Sequence, residues 1–240
     1  MKKVFTVCIS LILFSSFTYC VATYVESSLL FVDDLILPAA AVILCTVLLL
    51  VKFIPDKLKS ALFIIVSVIP VCWMLLLAYV QPAKCFDVLK KEDARGIFTE
   101  EQSFDVSYED CTVYLYESYG LFQQSAKTVI LSFGDNFEEA KQEINNNYEF
   151  YTEALIEDDP VPVFEFSGFS FRLKVSEKVY PKVMYFVGIN EETREIAFVY
   201  FNDVDLDCVG EFESNMNYYC GWQYIELYND GKILFNIVFA

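Results

Sequence analysis

The first eighty residues contain three runs without a charged side chain: residues 4–25, 35–51 and 60–83. The hydrocarbon core of a bilayer, about 30 Å thick, takes roughly 20 apolar residues in a helix. A helix of a water-soluble domain keeps a polar face, and helices uncharged on every side for this length have none. The runs therefore predict three transmembrane helices, over about 4–25, 35–54 and 60–81. The second is extended through Phe53 and Ile54 because the long stem of Lys52 lets its ammonium reach the interface. Pro38 falls in the first turn of that span, where a missing N–H costs little. Pro70 lies inside the third span and is expected to kink it, with neighbouring helices satisfying the freed carbonyl.

Charge divides the chain at the same place. Residues 1–80 carry five basic and four acidic side chains, and residues 81–240 carry the other 12 basic and 30 acidic ones. The chain thus reads as a transmembrane anchor (1–80) followed by an acidic domain (81–240). Lys2 and Lys3 precede the first span, and Lys52, Lys57 and Lys59 follow the second. The intervening loop has only Glu26, Asp33 and Asp34. The positive-inside tendency places the N-terminus and the 52–59 loop in the cytoplasm and residues 81–240 outside it, in a plasma or inner membrane. Lys84, Lys90, Lys91 and Arg95 after the third span run against this assignment, and the two lysine-bearing loops outweigh them. Met1-Lys2-Lys3, the apolar stretch to Phe14 and the small residues up to Ala22 also have the form of a secretory signal peptide cleaved after Ala22. Either processing leaves the acidic domain on the same side.

Composition excludes several chemistries. There is no histidine, which removes Ser-His-Asp and Cys-His catalysis and His-ligated metals. An excess of 18 acids in residues 81–240 argues against nucleic acid, whose phosphates require clustered Lys and Arg. Apart from Lys52, whose ammonium reaches the interface, the spans hold no Asp, Glu, Lys or Arg of the kind that marks an ion or substrate path.

Eight cysteines divide evenly. Cys8, Cys20, Cys45 and Cys72 read as small apolar residues in the spans. Cys85, Cys111, Cys208 and Cys220 lie in a domain assigned to an oxidising compartment. Proximity predicts disulfides Cys85–Cys111 and Cys208–Cys220, since a Cys₄ zinc site would need closely spaced C-x-x-C pairs.

The domain is expected to be α+β. Strands are predicted at Cys111–Tyr116, Lys127–Phe133, Phe169–Val175, Lys182–Ile189 and Glu195–Asn202. Asp135 with Glu138 suggests a capping box. Phe137, Ala140, Ile144, Tyr148, Tyr151 and Leu155 then form one apolar stripe on a long helix ending before Pro160 and Pro162. Trp222–Tyr228 and Lys232–Phe239 are predicted to form a hairpin across Asn229-Asp230-Gly231. The whole is one long helix packed on an antiparallel sheet.

Three features bear on function. Asp203, Asp205 and Asp207 have the alternate carboxylates of a calcium loop, although Cys208 and Ser214 stand where an EF-hand needs Gly and Glu. The same period fits a strand with one wet face, so calcium is the only cofactor the residues suggest and a solvated strand is the preferred reading. Glu157-Asp158-Asp159 reads as a solvated turn at a helix end. Tyr114, Tyr116, Tyr218, Tyr219, Tyr224 and Tyr228 form either core or an interface patch. No nucleophile or metal motif stands out, and no catalytic residue is expected. The sequence reads as a multi-pass membrane protein presenting a binding or sensing domain to a basic protein, peptide or cation. A carboxylate-pair hydrolase and an accessory subunit of a larger membrane complex are the alternatives.

Overall fold

A computed structural model describes residues 2–25, 29–80, 84–92, 105–118, 124–153, 163–176, 182–203, 212–233 and 237–238. The N-terminal elements are α1 (Lys2–Val25), β1 (Leu30–Phe31), α2 (Ile36–Leu50) and α3 (Asp56–Val80). They are followed by β2 (Lys84–Lys90), β3 (Asp110–Ser118), β4 (Gln124–Ser132), α4 (Phe137–Asn147), β5 (Val163–Phe166), β6 (Phe169–Leu173), β7 (Val183–Asn190) and β8 (Glu195–Asp203). The chain ends with α5 (Phe212–Ser214), α6 (Trp222–Asn229) and β9 (Ile237–Val238). Two compact units result: Met1–Ala83 with Asp230–Ala240, and Lys84–Asn229.

In the first unit, α1, α3 and the Val32–Leu50 stretch containing α2 are each long and apolar enough to cross a membrane. The second helix stops at Leu50, earlier than the apolar run suggested, because Val51 turns extended ahead of Pro55. Pro70 lies inside α3. Small and aromatic residues meet between the helices, Cys8, Cys45 and Phe63 in one cluster and Tyr19, Met74 and Leu77 in another. The Tyr19 hydroxyl donates to Asp34 Oδ2 at 2.6 Å, tying α1 to the turn before α2. Leu11, Phe14, Ile43, Val47, Ile65 and Ile69 point outward, exposed.

The second unit is a seven-stranded antiparallel sheet in the order β2-β3-β4-β8-β7-β6-β5. The five expected strands are present; β2 and β5, the edge strands, were not anticipated. Period-2 alternation gives the sheet two dissimilar faces. On one face Cys111, Val113, Val129, Leu131, Val187, Ile196 and Phe198 pack against Phe137, Ala140 and Ile144 of α4. Burying the helix's apolar stripe there is the contact that its spacing demanded.

The helix itself is shorter than its stripe. It ends at Asn147, after Asn145 and Asn146, residues whose side chains compete with helical backbone bonding. Tyr148 turns extended, and Phe150 bridges to Lys174, so the chain leaves the helix to join the sheet. Tyr151 donates its N–H to the Leu173 carbonyl. Leu155 and the Glu157-Asp158-Asp159 turn lie outside the described residues. The capping box does not form either: Asp135 sits in a 3₁₀ turn and Asn136 takes the cap position without a side-chain cap bond. Its amide donates instead to the Ser107 carbonyl.

The opposite face is covered by the C-terminal helices, and here the predicted hairpin is overturned. Trp222–Asn229 is α6, and Gly231 at φ +67° turns the chain beyond it. The beginning of the expected partner strand, Lys232, stays outside any strand, and β9 pairs in parallel with β1 in the other unit. Residues 222, 225, 226 and 229 fall on one side of a helix, whereas a strand would have split them between two faces. The segment carries both periods, and as a helix it buries Trp222, Tyr224 and Ile225.

The disulfide expectation also fails for the pair within reach. The ladder sets Cys85 opposite Glu117 and Cys111 opposite Leu131, six positions apart along the β2–β3 hairpin. At about 3.4 Å per residue that is ~20 Å, far beyond the 4.4–6.8 Å Cα separation, roughly, of a disulfide. No disulfide joins any two of the described cysteines, and Cys111 is a free, buried thiol. Cys220 is buried just before α6, and Cys208 lies outside the described residues.

Candidate functional site

The expected candidate residues do not assemble a site. Asp203 closes β8 opposite Gln124, while Asp205 and Asp207 lie outside the described residues. Among the described residues, no three Cys, Asp or Glu side chains converge as metal ligands. Of the tyrosines, Tyr114, Tyr116 and Tyr224 are core rather than patch, and Tyr228 is exposed. Tyr114, Tyr116 and Tyr224 are 6%, 3% and 1% exposed. Tyr116 stacks on Tyr224 at 5.3 Å, and Phe86 and Tyr228 pack on Tyr114 at 6.0 and 6.2 Å. Nothing is described for the Tyr218 and Tyr219 side chains. Burial pushes the Tyr116 hydroxyl up to about 12 and raises those of Tyr114 and Tyr224.

A cleft of about 380 Å³ opens instead at one end of this aromatic face. Its floor follows from strand register. Thr112 on β3, Ile130 on β4 and Ala197 on β8 are successive cross-strand partners, so Thr112 and Ile130 share a face. Glu195, two residues before Ala197, lies on that face, and its ladder partner Asn190 lies there too. The roof is the helical stripe Trp222, Ile225, Glu226 and Asn229, and the β5–β6 turn closes one side with Ser167 and Phe169. Trp222 is held edge-on by Phe166, Phe169 and Phe171, with ring centres 5.6–5.9 Å apart, which fixes the helix over the sheet.

Hydrogen bonds set the polar groups around the cleft. Thr193 Oγ1 donates to Glu195 Oε2 at 2.7 Å, and Ser167 Oγ donates to Glu226 Oε1 at 3.1 Å. The Tyr114 hydroxyl donates to Asn229 Oδ1 at 3.0 Å. Asn190 Oδ1 accepts the backbone N–H groups of Glu192 and Thr193 at 3.0 and 3.1 Å, an Asx turn that shapes the β7–β8 connection. The lining contains two carboxylates and no Lys or Arg. Lys90 approaches from outside, donating to Thr112 Oγ1 at 3.2 Å.

Of the cleft's polar residues only Tyr114 was singled out in the sequence, as core or interface patch and not as part of a cleft. The one available signal was the 222/225/226/229 spacing, and it was masked by the hairpin-like Asn-Asp-Gly. Glu195 and Glu226 are far apart in sequence and line one cleft only because β8 returns to the centre of the sheet and α6 folds back over it. Comparison of the chain with protein-family models, with curated proteins and with solved structures finds no match.

Proposed function

We propose that this protein is a multi-pass membrane protein whose acidic domain, carried outside the cytoplasm, binds or senses a ligand in the cleft beneath α6. The carrying observation is the cleft itself: about 380 Å³, within the size range of small-molecule sites, with two carboxylates, two amides and several hydroxyls on one rim. The three apolar helices supply the anchor. Their outward residues, among them Phe14, Ile43 and Ile69, are exposed, as lipid contact requires. The lysines at 2, 3, 52, 57 and 59 and the acids at 26, 33 and 34 support a cytoplasmic N-terminus.

A hydrolase has one observation in its favour, the presence of Glu195 and Glu226 in a single cleft. A carboxyl acting as general acid sits in apolar enclosure. Glu226 is exposed and Glu195 only partly covered, which favours binding over hydrolysis.

Two measurements test the proposal. A cysteine at Glu192 should react with a membrane-impermeant thiol reagent in intact cells or spheroplasts, and one at Ser60 should not; the reverse order would refute the orientation. Native mass spectrometry of the full-length protein should find a bound small molecule that is lost when Thr112→Trp fills the cleft. A bound species retained unchanged in that variant would remove the cleft from the function.

A further inference from the structure

We infer that the cleft recognises a small primary amine, its ammonium held between Glu195 and Glu226 and a neighbouring hydroxyl or carbonyl oxygen accepting from Asn190 Nδ2. This inference rests on the cleft-binding reading and names its ligand class.

Three observations converge on it. Each carboxylate has one oxygen occupied by a neighbouring hydroxyl, Oε2 of Glu195 by Thr193 and Oε1 of Glu226 by Ser167. That bond orients the carboxylate and leaves its second oxygen as an acceptor for a charge-assisted bond. Two such acceptors without a lining cation disfavour any anion and favour a positive group.

The second observation is independent of the acids. Asn190 is 8% exposed and lines the cleft. Its orientation is fixed, because two backbone N–H groups point at Oδ1 and the opposite end must be the amide nitrogen. Among the described residues, Nδ2 donates to nothing. A donor at the cleft lining with no protein partner is available to an acceptor on a ligand. The third observation is clearance. A Cβ on Gly168, at φ +82°, would stand 3.1 Å from Asn190 Nδ2, so the glycine keeps the approach to this donor open.

A monovalent ammonium with an acceptor a few bonds away satisfies both sets of groups. A simple divalent metal satisfies only the carboxylates and leaves Nδ2 facing a cation. A neutral polyol satisfies Nδ2 and gains little from two charges.

Glucosamine and glucose make the matched pair of probes, alike in size and differing at one amine. Ligand-observed NMR titration of the full-length protein in detergent or nanodiscs, at low salt, should show glucosamine binding at least tenfold more tightly than glucose. Glu226→Gln alone, at an exposed position, and Glu195→Gln with Glu226→Gln should reduce that preference at least tenfold while the thermal melt of the apo protein stays unchanged. The glutamines retain an oxygen for Ser167 and Thr193, so loss of preference reports charge. Equal binding of the two sugars, lost in Thr112→Trp, would overturn the amine while keeping the cleft as a site. Glucosamine binding that persists in both the Gln and Trp variants would overturn both readings. Displacement of glucosamine by equimolar calcium, or no glucosamine binding at millimolar concentration, would also overturn the amine.

Discussion

Gly188 offers a test of the aromatic face that involves no ligand. It sits in the middle of β7 between Phe171 of β6 and Ala197 of β8. A Cβ added there would meet the Phe171 ring, coming within 2.6 Å of Cδ1 and 2.8 Å of Cζ as well as striking Cε1. Phe171 is 0% exposed and is hemmed in by Phe164, Phe169 and Trp222 at 5.5–5.7 Å, so its ring has nowhere to retreat. Overpacking of this kind costs about 1–3 kcal/mol. Replacing a strand glycine by alanine returns about 0.5–1 kcal/mol through lower backbone entropy in the unfolded chain. The confinement of Phe171 puts the cost in the upper half of its range, so Gly188→Ala should destabilise the sheet unit by about 1–2 kcal/mol net. That corresponds to a fall in melting temperature of roughly 2–8 °C for a unit of this size. Trp73 and Trp222 are the two tryptophans. In a Trp73→Phe background, Trp222 fluorescence therefore reports this packing layer alone. Phe171→Leu should relieve the clash, making the double variant less destabilised than the two single effects added together, by at least ~0.5 kcal/mol. A Gly188→Ala protein that melts at the wild-type temperature, or strict additivity with Phe171→Leu, would refute this account of the packing.

Three further outcomes are expected from the burial, pairing and register described above. Burial pushes the Tyr116 and Tyr148 hydroxyls from 10.0 to about 12, so the stability they contribute is complete below pH 10 and lost as pH rises toward 12; phenolate absorbance should rise together with loss of the circular dichroism signal, and gradual ionisation with the fold intact would contradict it. A stop after Lys232 removes β9, which belongs to the helical unit, and should leave the Trp222-reported melt unchanged, whereas unfolding of the sheet would show that the two units are not separable. Non-reducing peptide mapping of protein from native membranes should never recover Cys85 joined to Cys111, and finding that bridge would disprove the β2–β3 register.

The elements that could be read directly were those whose pattern is complete within one segment. Three uncharged runs specify apolar helices whatever surrounds them, because no arrangement of the remaining chain changes their lack of a polar side. Phe169 to Leu173 alternate strongly enough to declare a strand, the continuous apolar run Ile196 to Phe201 declares a strand buried on both faces, and Phe137, Ala140 and Ile144 declare a helix face. Where a segment supports two periods, only the tertiary structure decides. Trp222–Asn229 fits both strand and helix locally, and it is helix because the aromatic face of the sheet needs a cover that also reaches Trp222 into the Phe166, Phe169 and Phe171 rings. The stripe of α4 continues past Asn147, yet the chain turns extended at Tyr148 because Phe150 finds a backbone partner in Lys174. The cleft is the extreme case. Glu195, Glu226, Asn190 and Thr112 are unremarkable polar residues in sequence, and their shared rim exists only because β8 inserts between β4 and β7 and α6 folds back across that face. Local pattern determines which segments are helix or strand when a single period dominates; long-range strand pairing determines which polar side chains meet.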